Sequence, residues 1–526
     1  MAVLFIAGCD TDISGDPFSN VAPETQLSVR DSSLADNLAD EDRLTSTVFA
    51  SWVGDDSDGF IEAFEFRFYD IAVTPGPEDD WVLTASNDTL VLLPISSGNK
   101  IADVVFEVRA IDNEGEKDPT PARTVFPIQN SPPEIRISSF DLPPDTTYPI
   151  FSFAWRASDP DGDQNLERVE ISLNDSLNFV SIPVEADFIT FQAQDFGRNA
   201  AGNAVDSDIY LGRGFVPTEI VVPGLRLNDN NIMFIRSVDA TDTTSVLERY
   251  EWYVKESQSD ILFVNDIRKN TNERLSAYHQ ELLRSYLPAG SIFDIWNVAE
   301  PFVTGNTGNA PRSDALPPNA VPTLQQFLGQ YQYIYWISSA STNSVSGNNF
   351  PLAASVLDVF FNGGGKLMVH TPVTAPLDPE ANASNAAVAI LPLNDLTAVP
   401  DSVRRISLSP NSAVTKLNDL PAVATPLPDL MVEQFIVGPL PFVATGASII
   451  PLYEADYEYQ TLDRASGPWP DSRLVASISA DQRVGLFSLP LINEQTGAPI
   501  VVGSDGDNEV AREVIRLMLE SIGFPK

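Results

Sequence analysis

The chain has few cysteines, histidines and basic residues. Its 526 residues include one cysteine and two histidines, and 31 Lys and Arg stand against 73 Asp and Glu, for a net charge of −42. One cysteine cannot form an intrachain disulfide, so the fold does not depend on one. Binding to nucleic acid, or to anionic lipid through protein charge, needs clustered basic residues, and this charge balance argues against both.

Signature motifs of several enzyme classes are missing as well. The sequence has no G-x-S-x-G elbow, no P-loop, no G-x-G-x-x-G after a strand, and no C-x-x-C or H-E-x-x-H. The triple glycine at 363–365 precedes a strand, which makes it a turn and not a phosphate cradle. After the first few residues, no apolar run reaches the roughly 18 residues that a membrane-spanning helix needs. The hydrophobic content of 43% nevertheless supports folded domains, and the length suggests several of them.

The single cysteine lies at the ninth position, directly after a short apolar run. The residues Ile6-Ala7-Gly8-Cys9 resemble the lipobox of bacterial lipoprotein signal peptides, in which the cysteine is acylated and becomes the first residue. The resemblance implies an exported protein at the bacterial outer membrane or cell surface, with the membrane as partner through a lipid anchor at Cys9. Residues 1–9 would be the signal remnant and residues 10–21 a tether. The alternative is a free cysteine buried in an N-terminal strand.

The first half of the chain repeats itself once. Trp52 aligns with Trp155, and each is followed by an Asp-x-Asp-Gly turn, at 56–59 and 159–162. Short runs of alternating polar and apolar residues, separated by Pro, Gly, Asn and Asp, predict β-strands that build two β-sandwiches. The pattern resembles the immunoglobulin-like and fibronectin type III-like modules of bacterial surface proteins. We expect β-sandwich 1 over 22–129 and β-sandwich 2 over 130–256.

The aspartates of these turns have two interpretations. Asp56 and Asp58 in the first unit, and Asp159, Asp161 and Asp163 in the second, place several carboxylates in one tight turn. Ca²⁺ takes six to eight oxygen ligands, and such a turn can present several of them. The alternative is a plain surface turn, in which Asp tolerates the backbone and Gly supplies a positive φ.

The same turns are not EF-hands. The first loop positions would be Gly54 and Ala157, which carry no carboxylate, and the flanking helices are missing. Asp112 and Asp239 end a strand in each unit and are further ligand candidates. No cofactor is required, and a structural Ca²⁺ would stiffen the modules without performing chemistry.

From residue 259 onward, strands and helices alternate. The patterns predict a strand at 260–267, a helix at 272–287, a strand at 291–296, a helix and strand within 323–338, a helix, Gly turn and strand within 353–370, strands at 483–491 and 499–505, and a helix at 509–522. Buried strands that alternate with helices are typical of a parallel sheet with helices on both faces.

This order, together with the sequence FFNGGGKLMVH at 360–370, resembles the class I glutamine-amidotransferase-like superfamily, which has a flavodoxin-like α/β fold. The resemblance covers about residues 260–526, and we expect the domain over 257–526, with a Pro-rich insert near 374–474. The nucleophilic cysteine of that family is absent, since Cys9 is the only cysteine, so amidotransferase chemistry is not available. The trehalose-utilisation-type branch also carries a histidine on this strand, and His370 matches it.

Three strand-end residues are the catalytic candidates of the second half. His370 ends a strand at the edge where open α/β folds place ligands, and Asp266 and Ser338 end neighbouring strands. Together they have the residue types of a Ser-His-Asp arrangement. The alternative for His370 is a structural strand-end histidine. His279 lies in an amphipathic helix and is interpreted as a surface or packing residue.

The leading hypothesis is an exported, lipid-anchored cell-surface protein without enzymatic activity, which binds a glycan or protein partner or packs into a surface assembly. One alternative is a carbohydrate- or peptide-directed hydrolase that uses the strand-end crevice. Another is a subunit of an extracellular polymer, with sandwich edges pairing between copies. An enzyme predicts that Asp266, Ser338 and His370 converge. A binding head predicts an exposed aromatic patch that includes Trp296 or Trp469.

Overall fold

The computed structural model describes most of the chain after its first 18 residues and divides it into two compact units. The first unit comprises residues 1–135, 157–169 and 236–246, and the second comprises 136–156, 170–235 and 247–526. The described part is a mostly β, multidomain structure. It covers residues 19–29, 46–93, 95, 100–197, 204–267, 273–299, 321–338, 349–373 and 386–526.

The first sandwich is built from two antiparallel sheets with strand orders β1-β2-β5 and β4-β3-β6-β7. Its strands are β1 (Glu24–Val29), β2 (Thr47–Asp55), β3 (Ile61–Asp70), β4 (Val82–Thr84), β5 (Asp88–Leu92), β6 (Ile101–Asp112) and β7 (Ala122–Gln129). The Trp52 ring from one sheet packs against Phe66 and Phe106 from the other, with ring centroids 5.8 and 6.0 Å away. Alternate residues of each strand therefore face one shared core, as the period-two pattern predicts.

The second sandwich has two five-stranded sheets, ordered β15-β14-β13-β10-β8 and β12-β11-β16-β17-β9. Its core contains an aromatic cluster in which Phe151 lies 5.0 Å from Phe191 and 4.9 Å from Trp252. Its strands are β8 (Glu134–Ile137), β9 (Thr146–Thr147), β10 (Ile150–Ser158), β11 (Leu166–Leu173), β12 (Val180–Pro183), β13 (Phe188–Ala193), β14 (Ala204–Leu211), β15 (Val216–Arg226), β16 (Asp229–Asp239) and β17 (Glu248–Val254).

The C-terminal half begins with five parallel strands in the order β19-β18-β20-β21-β32. These are β18 (Ile261–Asp266), β19 (Asp294–Trp296), β20 (Tyr333–Ser338), β21 (Lys366–His370) and β32 (Val484–Phe487). They are almost continuously buried, because helices cover both faces of a parallel sheet.

The insert does not stand apart from this sheet but extends it. Strands β31, β28, β24, β25 and β33 continue it antiparallel, so the sheet is mixed and not parallel throughout as the sequence analysis expects. The strands of this region are β22 (Asp395–Leu396), β23 (Val403–Leu408), β24 (Ala413–Lys416), β25 (Leu430–Val432), β26 (Ile436–Val437), β27 (Phe442–Val443), β28 (Ile449–Ala455), β29 (Glu458–Thr461), β30 (Ser466–Pro468), β31 (Leu474–Ser479) and β33 (Val501–Gly503).

Helices pack on both faces of the parallel strands. They are α1 (Glu273–Tyr286), α2 (Val321–Gly329), α3 (Phe350–Ala354), α4 (Asp358–Asn362), α5 (Ala386–Ile390) and α6 (Asn508–Ile522). Asp507 caps the N-terminus of α6, where its side chain accepts a hydrogen bond from the Glu509 amide at 2.9 Å, and Gly523, with φ +88°, caps the C-terminus. None of the described helices is long and apolar enough to cross a bilayer.

An aromatic residue of the second sandwich packs against the C-terminal half, within the second unit. Tyr148 stacks on Phe327 of α2 at 5.0 Å, and its hydroxyl donates to the Ile295 carbonyl at 2.8 Å. The ammonium of Lys255 lies 4.0 Å from the Tyr148 ring centroid and donates to the same carbonyl at 2.9 Å. The second sandwich and the C-terminal half therefore share a packed contact within the second unit.

Candidate functional site

Asp266 and Ser338 lie side by side at the carboxyl ends of β18 and β20, where they are paired in register. The Ser338 hydroxyl donates to Oδ2 of Asp266 at 3.2 Å, and Nε1 of Trp336 lies 3.4 Å from the same oxygen. The backbone amide of Asn349 donates to Oδ2, and its side-chain amide donates to Oδ1, each at 2.7 Å. The carboxylate thus joins two strands to the segment that precedes α3.

This hydrogen-bonded group is closed to solvent. Asp266 is fully buried, and Ser338 is 2% exposed. Burial raises the pKa of Asp266 to about 6, although the hydrogen bonds from Asn349 and Ser338 act in the opposite direction. Because the Ser338 hydroxyl donates to the buried carboxylate, the pair has the character of a structural network.

His370 lies on the other face of the sheet. It pairs in register with Ile337 of β20, one residue before Ser338. Successive side chains of a strand point to opposite faces, so His370 points away from the face that carries Ser338 and Asp266. Its ring stacks on Phe487 of β32, with centroids 5.7 Å apart and planes 11° apart. The structure brings Asp266 and Ser338 together but does not bring His370 to them, so the predicted triad does not form.

His370 instead contacts the only other histidine of the chain. The ring centroids of His279, on α1, and His370 are 4.5 Å apart, and His279 Nδ1 lies 2.7 Å from the Tyr335 hydroxyl. His279 is fully buried and His370 is 2% exposed, and His279 Nε2 and His370 Nδ1 are buried without a hydrogen-bond partner. Of the two roles proposed for His279, the structure assigns packing.

Both histidines are neutral in this setting. Burial lowers the pKa of His370 to about 3. Burial, and then the neighbouring His370 and Arg512, lower the pKa of His279 well below its ordinary value. The sequence gives no sign of this pair, because the two residues lie far apart in the chain and only the helix-on-sheet packing brings them together.

The two tryptophans named for an exposed aromatic patch are both buried. Trp296 and Trp469 are each 5% exposed. Trp296 packs between Phe327 at 5.1 Å and Trp336 at 6.2 Å. Both residues serve the core, which corrects the expectation that they form a binding surface.

The aspartates of the second Asp-x-Asp-Gly turn hold the segment that precedes the second sandwich. Asp161 accepts hydrogen bonds from the backbone amides of Ser131 and, at 3.1 Å, of Ser46. Asp239, at the end of β16, accepts from the side-chain amide of Asn130 at 2.6 Å. We call Asn130 and Ser131 the second leading segment.

The first sandwich has the same arrangement. The side-chain amide of Asn20 donates to Asp112 at 2.6 Å, and the backbone amide of Val21 donates to Asp58 at 3.1 Å. We call Asn20 and Val21 the first leading segment. These bonds add a use of the turns that the sequence analysis did not foresee, although the repeat of Asn20 as Asn130 was a signal for it.

One carboxylate oxygen in each turn has no hydrogen-bond partner. Oδ2 of Asp56 and Oδ2 of Asp159 are both buried and unpaired. Burial, and then the charges of Asp161, Asp239 and Asp163, raise the pKa of Asp159 to about 6. Among the described residues, no three acidic, His or Cys side chains converge as they would around a bound metal ion. Cys9 and residues 10–18 lie outside the described residues.

Comparison with known proteins gives solved structures of fibronectin type III modules. No family model matches the chain, and no curated protein matches it. The fibronectin(III)-like modules of Clostridium thermocellum CbhA are 12% identical, with 44% of this chain and 94% of that chain covered and a TM-score of 0.16. A two-module fibronectin type III segment of chicken tenascin is 11% identical, with 44% and 97% covered and a TM-score of 0.19.

The FN1–FN3 domains of chicken CNTN1 are 10% identical, with 40% of this chain and 64% of that chain covered and a TM-score of 0.14. Scores of this size carry no argument about function. The two-sandwich architecture of this chain rests on its own strand pairings.

Proposed function

We propose that this chain is an exported cell-surface protein without enzymatic activity, lipid-anchored at Cys9, which binds a glycan or protein partner or forms part of a surface assembly. The two sandwiches act as spacer modules, and the C-terminal α/β domain acts as the binding or assembly head. The anchoring part rests on the sequence Ile6-Ala7-Gly8-Cys9.

The position of His370 is the observation that carries the non-enzymatic part. A Ser-His-Asp site needs the imidazole within hydrogen-bond reach of the serine. Here the serine donates to Asp266 on one face of the sheet, while His370 is buried against His279 and Phe487 on the other. The strand-end groups that could have made a hydrolase are therefore held as separate structural contacts.

The C-terminal half is proposed to be a degenerate member of the amidotransferase-like group with a flavodoxin-like core. The five parallel strands with helices on both faces support this, and so does the motif at 360–370. The nucleophile of that group is a cysteine, and Cys9 is the only one in the chain. A domain that keeps such a core without the nucleophile would act by binding and not by amidotransferase chemistry.

The anchoring proposal is tested by expressing the full chain in a bacterial host with Cys9→Ser and, as a matched control, Ser14→Ala. Wild type and Ser14→Ala should incorporate labelled palmitate and sediment with membranes. Cys9→Ser should lose the label and the membrane association. If Cys9→Ser were processed and retained like wild type, the anchor would not be at this cysteine.

The head is tested by incubating the purified chain with insoluble polysaccharides and with peptidoglycan. Co-sedimentation without new reducing ends supports a glycan-binding head. If the chain neither co-sediments with these glycans nor releases reducing ends, the glycan-binding part fails and a protein partner remains as the proposal. Release of reducing ends that Ser338→Ala abolishes would refute the non-enzymatic assignment and favour the hydrolase.

A further inference from the structure

Strand β5 lies at one edge of the first sandwich, within the first unit. Its sheet has the order β1-β2-β5, and β2 pairs with one side of β5. In the part of the chain that the structure describes, no strand pairs with its other side. A row of unpaired backbone groups of this kind can accept a further strand, so most proteins protect such an edge.

The bonds to β2 determine which backbone groups face the open edge. The Leu93 amide donates to the Ser46 carbonyl, and the Trp52 amide donates to the Asn87 carbonyl, each at 2.8 Å. Along an antiparallel strand, every second residue bonds to the same neighbour. The odd-numbered residues from 87 to 93 therefore bond to β2, and the even-numbered residues direct their N–H and C=O groups to the open edge.

Other edge strands of the two sandwiches carry features that block such pairing. Proline, which has no N–H, lies within three of them. These prolines are Pro127 of β7, Pro183 of β12, and Pro217 and Pro223 of β15. Strands β4 and β9 have only three and two residues, and β8 exposes the charged Glu134 and Arg136. In β1, the Thr25 amide donates to Asp118 at 2.7 Å. Strand β5 contains no proline, lysine or arginine.

Apolar side chains accompany the open edge. Leu90, in the middle of β5, is 67% exposed, although the next residue, Val91, is buried in the core. Phe49 of β2 pairs with Leu90 in register and shares its face of the sheet. Val82 and Leu83 of β4, which precedes β5 in the chain, are 50% and 67% exposed. Exposed apolar side chains beside an unprotected edge mark a contact with another protein chain.

We propose that two copies of this chain pair through β5, antiparallel and centred on Leu90. A two-fold axis at this position places Leu90 opposite Leu90 of the second copy, and Asp88 opposite Leu92. The even-numbered residues of both strands then exchange their N–H and C=O groups, which gives about six backbone hydrogen bonds. The sheets of the two copies become one continuous sheet.

The side chains of β5 favour a second copy as the occupant. Strands related by this axis keep the same faces outward, so the two Leu90 side chains meet and each is flanked by Phe49 of its own copy. The only charged residue of β5 is Asp88. The two Asp88 residues would lie about 14 Å apart along the strands, which exceeds the screening length of about 8 Å at physiological salt. The strand is therefore self-complementary.

This inference rests on the assembly part of the proposed function and names a partner for it. A short strand buries little surface, so we expect a weak dimer that forms reversibly as the protein concentration rises. Each copy has a net charge of −42, and the copies therefore repel each other at long range. Salt screens this repulsion, so dimerisation should strengthen as the ionic strength rises.

The test is sedimentation equilibrium of the purified full chain, with Cys9→Ser in every sample so that no lipid is attached. Leu90→Lys places a charge at the open edge, and Leu90→Pro removes an outward N–H without touching the bonds of the odd-numbered residues to β2. Leu177→Lys is the matched control, because Leu177 is 85% exposed in the second sandwich. We expect the parent chain and the control to dimerise, and both Leu90 variants to dimerise at least about tenfold more weakly.

Hydrogen exchange at single-residue resolution gives a second readout. In the parent chain, the amides of Leu90 and Leu92 should become protected as the concentration rises, whereas those of Thr89 and Val91 should be protected at every concentration. A parent chain that stays monomeric, a dimer that neither Leu90 variant weakens, or amides of Leu90 and Leu92 that gain no protection would each overturn the proposal. Dimerisation of this unacylated chain would support it even if the anchor at Cys9 were refuted.

Discussion

The buried histidine pair should make the second unit sensitive to acid. His279 and His370 have folded-state pKa values below the ordinary value of 6.5, to about 3 for His370. The unfolded chain therefore takes up protons below about pH 6.5 that the folded chain refuses. The stability due to neutral burial is complete above that pH and is lost as the pH falls toward the folded pKa.

The magnitude follows from proton linkage. One proton bound only by the unfolded state lowers the free energy of unfolding by about 1.4 kcal/mol per pH unit. Between about pH 6.5 and 4.5, His370, whose folded pKa is about 3, costs about 3 kcal/mol, and His279 adds to the loss in the same direction. Domains are stable by about 5–15 kcal/mol, so this loss is a substantial fraction of the free energy of unfolding.

Asp266 acts in the opposite direction and must be separated from the histidines. Its folded pKa of about 6 lies above the ordinary 3.8, so the folded state holds a proton that the unfolded state releases, and stability rises as the pH falls through that window. The difference between wild type and a histidine variant cancels this contribution. We choose His370→Phe, since no described hydrogen bond of the His370 side chain is lost and the ring can still pack on Phe487.

The assay is denaturant-dependent hydrogen exchange of the β20 and β21 peptides at several pH values, which reports on this unit alone. Below about pH 6, the free energy of unfolding of His370→Phe should increase relative to that of wild type by about 1.4 kcal/mol for each pH unit. Phe487→Leu is the control, because it disturbs the same packing without removing a titrating group. The difference in free energy of unfolding between Phe487→Leu and wild type should not change with pH. If the difference between His370→Phe and wild type were equally constant, the reasoning would be refuted.

Three further predictions concern single contacts. Asp266→Asn should lower the free energy of unfolding by about 1–3 kcal/mol in denaturant titrations, because an amide donor then faces the existing donors; an unchanged midpoint would contradict this. Asn130→Ala should leave Asp239 without one donor and speed hydrogen exchange in β8, and protection equal to wild type would show that this bond is dispensable. Gly365→Ala should cost about 1–3 kcal/mol because its Cβ would lie 2.5 Å from a buried phenylalanine ring, whereas Gly363→Ala, with its nearest contact at 3.4 Å, should cost less in the same titration.

Individual strands and helices of this protein can be predicted from its sequence. The alternating run around Phe64 and Phe66 forms β3, and the helical spacing of Leu275, Leu282 and Leu283 forms α1. In each case the apolar period matches the geometry of the element and the face that is buried. The two-module β architecture follows from the same local signals together with the repeat.

The geometry of the candidate site was harder to predict from the sequence, because it depends on the register of strand pairing. Asp266, Ser338 and His370 each end a strand, as the sequence analysis expects. A shift of one residue in the pairing of β20 and β21 exchanges the two faces of the sheet, and the apolar runs of buried parallel strands do not specify it. The observed pairing of Ile337 with His370 is what separates the histidine from the serine.

The position of the insert is a second feature that the sequence did not predict. Its prolines and short apolar runs suggest an addition to the α/β domain, yet its strands extend the central sheet. The last strand, β33, pairs antiparallel with β25 from the insert. Such pairings join segments far apart in the chain, and short runs with β propensity do not name their partners.

The leading segments determine how the sandwiches would carry a mechanical load. In each module, two consecutive residues bond to two carboxylates on different loops: Asn20 and Val21 in the first, Asn130 and Ser131 in the second. A force applied to the chain before a module therefore has to break both of these hydrogen bonds before it reaches the first strand of the module. Because the two modules follow each other along the chain and use the same attachment, each attachment would bear the full tension and the two would resist it similarly.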